Sequence, residues 1–289
     1  GFWLKFDDNT NDSSGLSHNF TNNNSCPFSE DTPVNNFCTM NSLTTDHHVF
    51  SKGNLSVNGS DTNASVGTFG VSSGKWYWEA KVTGSTTLGQ YAGVTNIAND
   101  IDFDTSPNVL TANIRSWGGN LYRHDYTQTG DTADSDFSED AGDIYGYALD
   151  LDNGTMKFYV DGSLIHTDST IPSDNSTTFF PVNGTTASGG GGWQGLDYNF
   201  GVPSFTLADT AVADGNGYGR VEHTPPTGYL ALCTANLPDV EIGQEADDLA
   251  TDYFNTVLYT GTGSELAINN VGFSPAFVWI KTRALTYNH

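Results

Sequence analysis

A hairpin signal between residues 142 and 162 constrains the fold more than any other feature of the chain. Apolar residues alternate from position 144 to 149, and a second alternating run covers 156 to 160. Between them stands Asn153-Gly154, the dipeptide most typical of a two-residue turn, because both central residues tolerate positive φ. Asp161-Gly162 then predicts a second reversal. We therefore expect consecutive antiparallel strands.

The rest of the chain also has the sequence pattern of short β-strands joined by turns. Its 289 residues include 17 Phe, 13 Tyr and 6 Trp, enough apolar area for a core. Short alternating runs are separated by Gly, Asn, Asp and Pro, and helical periodicity is almost absent apart from residues 245–254. In the run KWYWEAKV at 75–82, Trp76, Trp78, Ala80 and Val82 share one face and predict core packing. These features favour an all-β sandwich.

The net charge of the chain limits the classes of partner that it can bind. The formal net charge is −24, and only 10 residues are Lys or Arg. Such a surface repels phosphate backbones and anionic lipid, which argues against nucleic acid and membrane insertion. No apolar run approaches the ~18 residues that a membrane span needs.

Composition and turn signals divide the chain into four segments. We expect an N-terminal strand (residues 2–6) and loop packing on the sandwich at 1–45, and the sandwich itself at 46–210. A proline-containing linker with a short helix is predicted at 211–253 and the start of a further β unit at 254–289, with strands near 256–260, 266–268 and 277–281. The strands at both ends suggest an excerpt of a longer polypeptide.

Three cysteines, Cys26, Cys38 and Cys233, cannot all pair within one chain. A Cys26–Cys38 bridge and buried reduced thiols both remain open.

Three separated motifs resemble the SPRY (B30.2-like) family. SGKWYWE at 73–79 resembles that family's G-x-x-Y-W-E strand, and GDIYGYALDLDNGTMKFYVD at 142–161 resembles its long hairpin. FFPV at 179–182 with NFG at 199–201 resembles its closing elements. The resemblance covers about residues 65–201. It implies a concanavalin-like antiparallel β-sandwich, a SPRY-like jelly roll, whose loops at one end recognise peptides or other partners.

A second resemblance spans nearly the whole chain. The opening LKFDD at 4–8 is similar to first strands of laminin-G-type sandwiches. Its combination with the SPRY-like core, ALCTANLP at 231–238 and GFSPAFVWIK at 272–281 resembles structural and tail-fibre proteins of marine tailed phages. This implies a virion protein of a tail fibre, spike or appendage that contacts other virion proteins, its own copies and a host-surface glycan or protein. A purely structural decoration or filament subunit and a polysaccharide depolymerase are the alternatives.

The residues favour a non-enzymatic role. Glycoside hydrolases of related sandwiches place paired carboxylates on one strand face in an E-x-D-x-x-E pattern, which this chain lacks. Glu79 stands alone among aromatics, where we expect it to solubilise a strand face or to accept hydrogen bonds at an edge. Gly-x-Ser-x-Gly and HExxH motifs are also missing from the sequence.

Two loops offer candidate ligand-binding residues. Arg115, Trp117 and Asn120 lie in one, at positions that the SPRY resemblance assigns to the binding loops, and Trp193 lies beside glycines in another. Aromatic rings among polar groups can stack on sugar faces while their neighbours bind hydroxyls. The alternative is that both tryptophans anchor loops.

Calcium is the one cofactor that the sequence leaves open. The carboxylates of Asp7, Asp8 and Asp12, or those of 100, 102 and 104, offer oxygen ligands. The alternative is that they are solvated turn residues, and we expect no cofactor.

Overall fold

The computed structural model of the chain describes most of its residues. These are residues 1–4, 11–21, 31–32, 35–44, 48–59, 63–84, 90–96, 101–102, 111–117, 120–127, 132–138, 140–185, 194–208, 211–238 and 253–282. They fall into two compact units, Gly1–Leu237 and Pro238–His289. No helix in these ranges has the length and apolar character to cross a membrane.

Two sheets make up the first unit. The first sheet has the order β1-β2-β14-β4-β10-β11-β12, with antiparallel neighbours throughout, and a short β15 runs parallel to β4. Its strands are β1 (His48–Ser51), β2 (Ser56–Gly59), β4 (Lys75–Val82), β10 (Ile144–Asp150), β11 (Thr155–Val160), β12 (Ser163–Asp168), β14 (Gln194–Asn199) and β15 (Leu230–Ala231).

The second sheet is antiparallel throughout, in the order β6-β3-β13-β5-β7-β8-β9. The predicted fold class, an all-β antiparallel sandwich, is confirmed, since the regular elements of the described part of the first unit are all strands. The strands of this sheet are β3 (Asn63–Val66), β5 (Gln90–Thr95), β6 (Ile101–Asp102), β7 (Thr111–Trp117), β8 (Asn120–His124), β9 (Thr132–Ser138) and β13 (Phe180–Thr185).

Alternation along β4 builds the core between the sheets. Trp76 and Trp78 are 2% and 1% exposed and belong to one apolar cluster with residues of the second sheet such as Val94 and Ile114. The ring of Trp78 stacks on Tyr147 of the neighbouring strand β10, with 5.6 Å between centroids. The predicted tryptophan face is therefore the inner face of the first sheet.

The hairpin forms where the sequence predicts it, but its turn is longer. Asp150 pairs with Thr155, so four residues and not two connect β10 to β11. The carboxylate of Asp150 accepts hydrogen bonds from the backbone N–H groups of Asp152 and Asn153 and from the Asn153 side chain, which stabilises the wider loop. A two-residue turn with both φ values positive follows β11, at Asp161-Gly162.

Residues 211–237, which we name the strap, belong to the first compact unit, although the sequence analysis placed them in a linker. Val221 and Tyr229 of the strap are buried in a cluster with Tyr77 and Ala148 of the first sheet. These residues lie on the sheet face that points away from the tryptophan core. The apolar residues of the strap follow no strand or helix period, so pattern alone indicated a linker.

The NFG motif connects the sheet to the strap. The side chain of Asn199 accepts a hydrogen bond from Gly201 N–H and donates one to the carbonyl oxygen of Arg220, both at 2.9 Å. Gly201 has a φ of +123°, and a Cβ there would lie 2.4 Å from the ring of Phe37. The motif therefore requires both its asparagine and its glycine.

The N-terminal segment contributes to the core through residues 38 and 40, and residues 5–6 of the predicted first strand lie outside the described residues. Among residues 1–4 no strand forms, and Phe2 and Trp3 are each 57% exposed. By contrast, Cys38 and Met40 are fully buried in the core. Cys38 and Cys233 are free thiols, and burial raises the pKa of Cys38 to about 11. Cys26 lies outside the described residues.

In the second unit, residues 253–282 form no strand. The strands predicted near 256–260, 266–268 and 277–281 are thus not formed within this range. An isolated strand leaves its backbone groups unpaired and gains little from burial, which accounts for the difference. Most of the predicted helix at 245–254 lies outside the described residues.

The tryptophan core gives a direct stability prediction. We expect Trp78→Ala to lower the free energy of unfolding by about 3 to 5 kcal/mol, because it removes a buried ring from between two sheets. Urea denaturation followed by circular dichroism measures the change. The matched variant Trp279→Ala, at a side chain 72% exposed, should lower it by less than about 0.5 kcal/mol. Equal losses in the two variants would contradict the assignment of Trp78 to the core.

Candidate binding surface

The hairpin of β7 and β8 brings three of the four candidate residues together. Trp117 and Asn120 are directly opposed in the residue pair next to the turn. Arg115 opposes Tyr122 two residues further from the turn, on the same face of the sheet. The structure describes the backbone of these residues but not their side chains, and Trp193 lies outside the described residues. The register therefore places Arg115, Trp117 and Asn120 at one end of the second sheet.

Alternation along β7 separates the two faces of the second sheet. Ala112 and Ile114 are buried in the core cluster. Thr111 and Asn113 consequently lie on the opposite face, which we name the outer face. Positions 115 and 117 continue the same alternation, so the candidate residues occupy register positions of the outer face.

Buried polar groups occupy this outer face beside a small apolar cluster of Ala64, Val66 and Val182. Thr95, Thr111 and Asn113 are all at most 2% exposed. The side-chain amide of Asn113 donates to Thr111 Oγ1 at 2.8 Å, whereas the buried Asn113 Oδ1 has no hydrogen-bond partner among the described residues. These residues were not predicted from the sequence, although the polar–apolar alternation of TANIRSW at 111–117 indicates them.

The outer face of the first sheet is covered by the strap, with Glu79 at the contact. Glu79 is fully buried on the central strand β4, not exposed on a strand face or at an edge as we expected. Its Oε2 accepts the backbone N–H of Glu222 at 2.8 Å. Its Oε1 accepts the backbone N–H of His223 at 2.8 Å and the hydroxyl of Tyr77 at 3.1 Å.

His223 adds a charge to this contact. Its Nδ1 lies 3.4 Å from Glu79 Oε1, and its side chain is 28% exposed. The hydrogen bond that His223 donates to the Glu79 carboxylate raises the pKa of His223, and partial burial opposes this increase. The charges of Glu79, Glu222 and Asp161 raise the pKa further. Because the oxygens of Glu79 already accept backbone N–H groups, this pair anchors the strap and is not arranged as a hydrolytic acid and base.

Other carboxylates among the described residues have similar structural roles. Asp168, fully buried, accepts N–H groups of Tyr126 and Thr170 and the Thr170 hydroxyl. Both oxygens of the exposed Asp12 accept hydrogen bonds, from Trp3 N–H and from groups of residues 14 and 18, and the first of these is the main cause of its lowered pKa. Both oxygens of Asp12 thus accept hydrogen bonds from the N-terminal segment itself.

The calcium hypothesis has no further support from the described part of the chain, where no group of three or more His, Cys, Asp or Glu side chains is arranged to hold a metal ion. Asp7 and Asp8, and residues 100 and 104, lie outside the described residues, as does the side chain of Asp102. Calcium binding stays a prediction.

Comparisons with known proteins give a fold likeness and one short family match. A model described as a domain of unknown function (DUF7483) matches residues 249–289. No curated protein matches. The SPRY domain of human HERC1 is similar at 15% identity and a TM-score of 0.40, over 58% of this chain and 99% of that domain. The TRIM65 PSpry domain is similar at 16% identity and 0.42, over 56% and 91%.

The anchoring role of Glu79 is testable by removing its charge. We expect Glu79→Gln to lower the free energy of unfolding by about 2 to 4 kcal/mol, because the amide places a donor against buried backbone N–H groups. Urea denaturation measures it, with Glu265→Gln as the matched exposed variant. A loss that is the same for both variants would contradict the anchor.

The raised pKa of His223 predicts how stability changes with pH. Protonated His223 stabilises the strap fully below the unfolded pKa of ~6.5, and this contribution is lost as pH rises through the higher folded value. The stability difference between wild type and His223→Gln should therefore shrink as the pH rises above ~6.5. The same difference for exposed His18→Gln serves as the control. A stability difference that grows with pH would contradict the raised pKa of His223.

Proposed function

We propose that this chain is a non-enzymatic recognition protein of a virion surface, within a phage tail fibre, spike or appendage. It binds a host-surface glycan or protein through the β7–β8 hairpin and the neighbouring loops of the sandwich. The virion setting, and the contacts with other virion proteins and its own copies, depend on the sequence resemblance. The proposed binding requires no cofactor.

The register of the hairpin is the observation that carries this proposal. Arg115, Trp117 and Asn120 fall on one face at one end of the second sheet, a combination of cation, aromatic ring and amide suited to a polar ligand. On the first sheet, the core covers one face and the strap covers part of the other. The carboxylates described above serve the fold, which favours binding over hydrolysis.

Binding to host cells tests the proposal. We expect Trp117→Ala and Trp193→Ala each to weaken attachment of the purified chain about tenfold, because loss of an aromatic anchor removes at least ~1.4 kcal/mol. Trp3→Ala, at an exposed tryptophan elsewhere, is the matched control. Attachment unchanged in both loop variants, with impaired particle assembly on deletion of the chain, would support the structural alternative. Turnover of host polysaccharide abolished by one carboxylate substitution would support a depolymerase.

A further inference from the structure

We propose that Asn216, in the strap, is a site of spontaneous deamidation, and that its conversion to aspartate or isoaspartate loosens the strap. This chemical property of the strap is separate from ligand binding. The surroundings of the Asn-Gly dipeptides in the fold select the site, and the hydrogen bonds of the Asn216 amide determine the consequence.

The chain contains four Asn-Gly dipeptides, all of which lie in the described residues. In three of them the glycine is buried; these are Asn58-Gly59 in β2, Asn153-Gly154 in the β10–β11 turn and Asn183-Gly184 in β13. Although Asn153 itself is exposed, a Cβ added to Gly154 would lie 2.5 Å from the carbonyl oxygen of Ile171. The fold therefore restricts both solvent access and backbone movement at these three pairs.

The fourth pair, Asn216-Gly217, is exposed at both residues. A Cβ added to Gly217 would have no heavy atom within 4 Å apart from its neighbours in the chain. The Gly217 N–H makes one hydrogen bond, to the carbonyl oxygen of Asp214 at 3.1 Å within the same turn. An exposed turn opens locally at little cost in free energy, so this N–H reaches solvent without unfolding of the sheets.

The reaction is intramolecular and requires only water and a base from the solvent. The base removes the proton of the Gly217 N–H, and the nitrogen attacks Cγ of Asn216 to form a new C–N bond. The Cγ–Nδ2 bond breaks, and Nδ2 takes up a proton from water and leaves as ammonia, which gives a cyclic succinimide. Water then adds to one of the two ring carbonyls and opens the ring to aspartate or isoaspartate. No group is oxidised or reduced, and the side chain gains a negative charge at neutral pH.

The amide of Asn216 connects the two ends of the strap. Its Nδ2 donates a hydrogen bond to Oδ1 of Asn236 at 2.8 Å. Asn236 in turn donates through its own Nδ2 to Asp214 Oδ2 at 2.6 Å and to the carbonyl oxygen of Ala231 at 2.8 Å. Asn216 therefore belongs to a hydrogen-bond network that holds the turn after Asp214 against the end of the strap.

This network has no donor to offer a carboxylate at position 216. The Nδ2 of Asn236 already has two acceptors, so turning that amide over would place its oxygen against Asp214 and Ala231. In its present orientation, the Oδ1 of Asn236 would face another acceptor. The new charge would also lie close to the carboxylate of Asp214, which accepts the backbone N–H of Asn216 at 2.9 Å. Either orientation loses a hydrogen bond and adds repulsion between oxygens, which weakens the strap.

Peptide mapping by mass spectrometry tests the site in the full chain. The protein is kept in mildly alkaline buffer, once folded and once in concentrated urea, and the conversion of each asparagine is followed over time. In urea the four pairs should convert at similar rates, because their local chemistry is the same. In the folded protein, Asn216 should convert at least about tenfold faster than Asn58, Asn153 and Asn183. Protection of Asn216 as strong as that of the other three overturns the proposal.

Hydrogen–deuterium exchange tests the consequence for the strap. We expect Asn216→Asp, which carries the charge of the product, to speed exchange of the strap amides about three- to tenfold, with β10 and β11 unchanged. Asn269→Asp adds the same charge at an exposed asparagine of the second unit and is the matched control. Strap exchange equal to that of wild type would overturn the loosening. If Asn216→Asp does not fold, deamidated wild-type protein separated by ion-exchange chromatography takes its place, with the same two outcomes.

Discussion

Burial of strand β4 on both of its faces is the constraint on which the rest of the structure depends. Its inner face supplies Trp76 and Trp78 to the core between the sheets, and its outer face supplies Tyr77 and Glu79 to the contact with the strap. A buried carboxylate on such a strand requires donors, which the backbone of residues 222 and 223 provides. The strap is therefore part of the sandwich, because β4 could not hold Glu79 without it.

The two sheets differ in the residues on their outer faces. The first sheet packs against the core on one side and against the strap on the other. The second sheet has a polar row on its outer face, at Thr95, Thr111 and Asn113, continuous with the hairpin of Trp117 and Asn120. Buried polar residues on a face that points away from the core contribute little to hydrophobic stability.

Features that depend on the local alternation of side chains could be predicted from the sequence. Contacts between residues that are far apart in the chain could not. Alternation identified the tryptophan face and the hairpin, because side-chain direction in a strand repeats every two residues. The four-residue turn was missed because the Asp150 side chain, outside the Asn-Gly dipeptide, organises it. Glu79 was misjudged because its donors come from residues more than 140 positions away, which no local pattern reveals. Asn113 was visible in the alternation of β7, but its missing partner is a property of the folded face.

We propose that this sandwich binds a ligand through the β7–β8 hairpin of the second sheet. Hydrogen–deuterium exchange of the full chain, with and without intact host cell-surface material, tests it most directly. The account predicts slower exchange in β7 and β8 on binding, with the amides of the strap and of β10–β11 unchanged. Slower exchange confined to the strap or to the first sheet would contradict it.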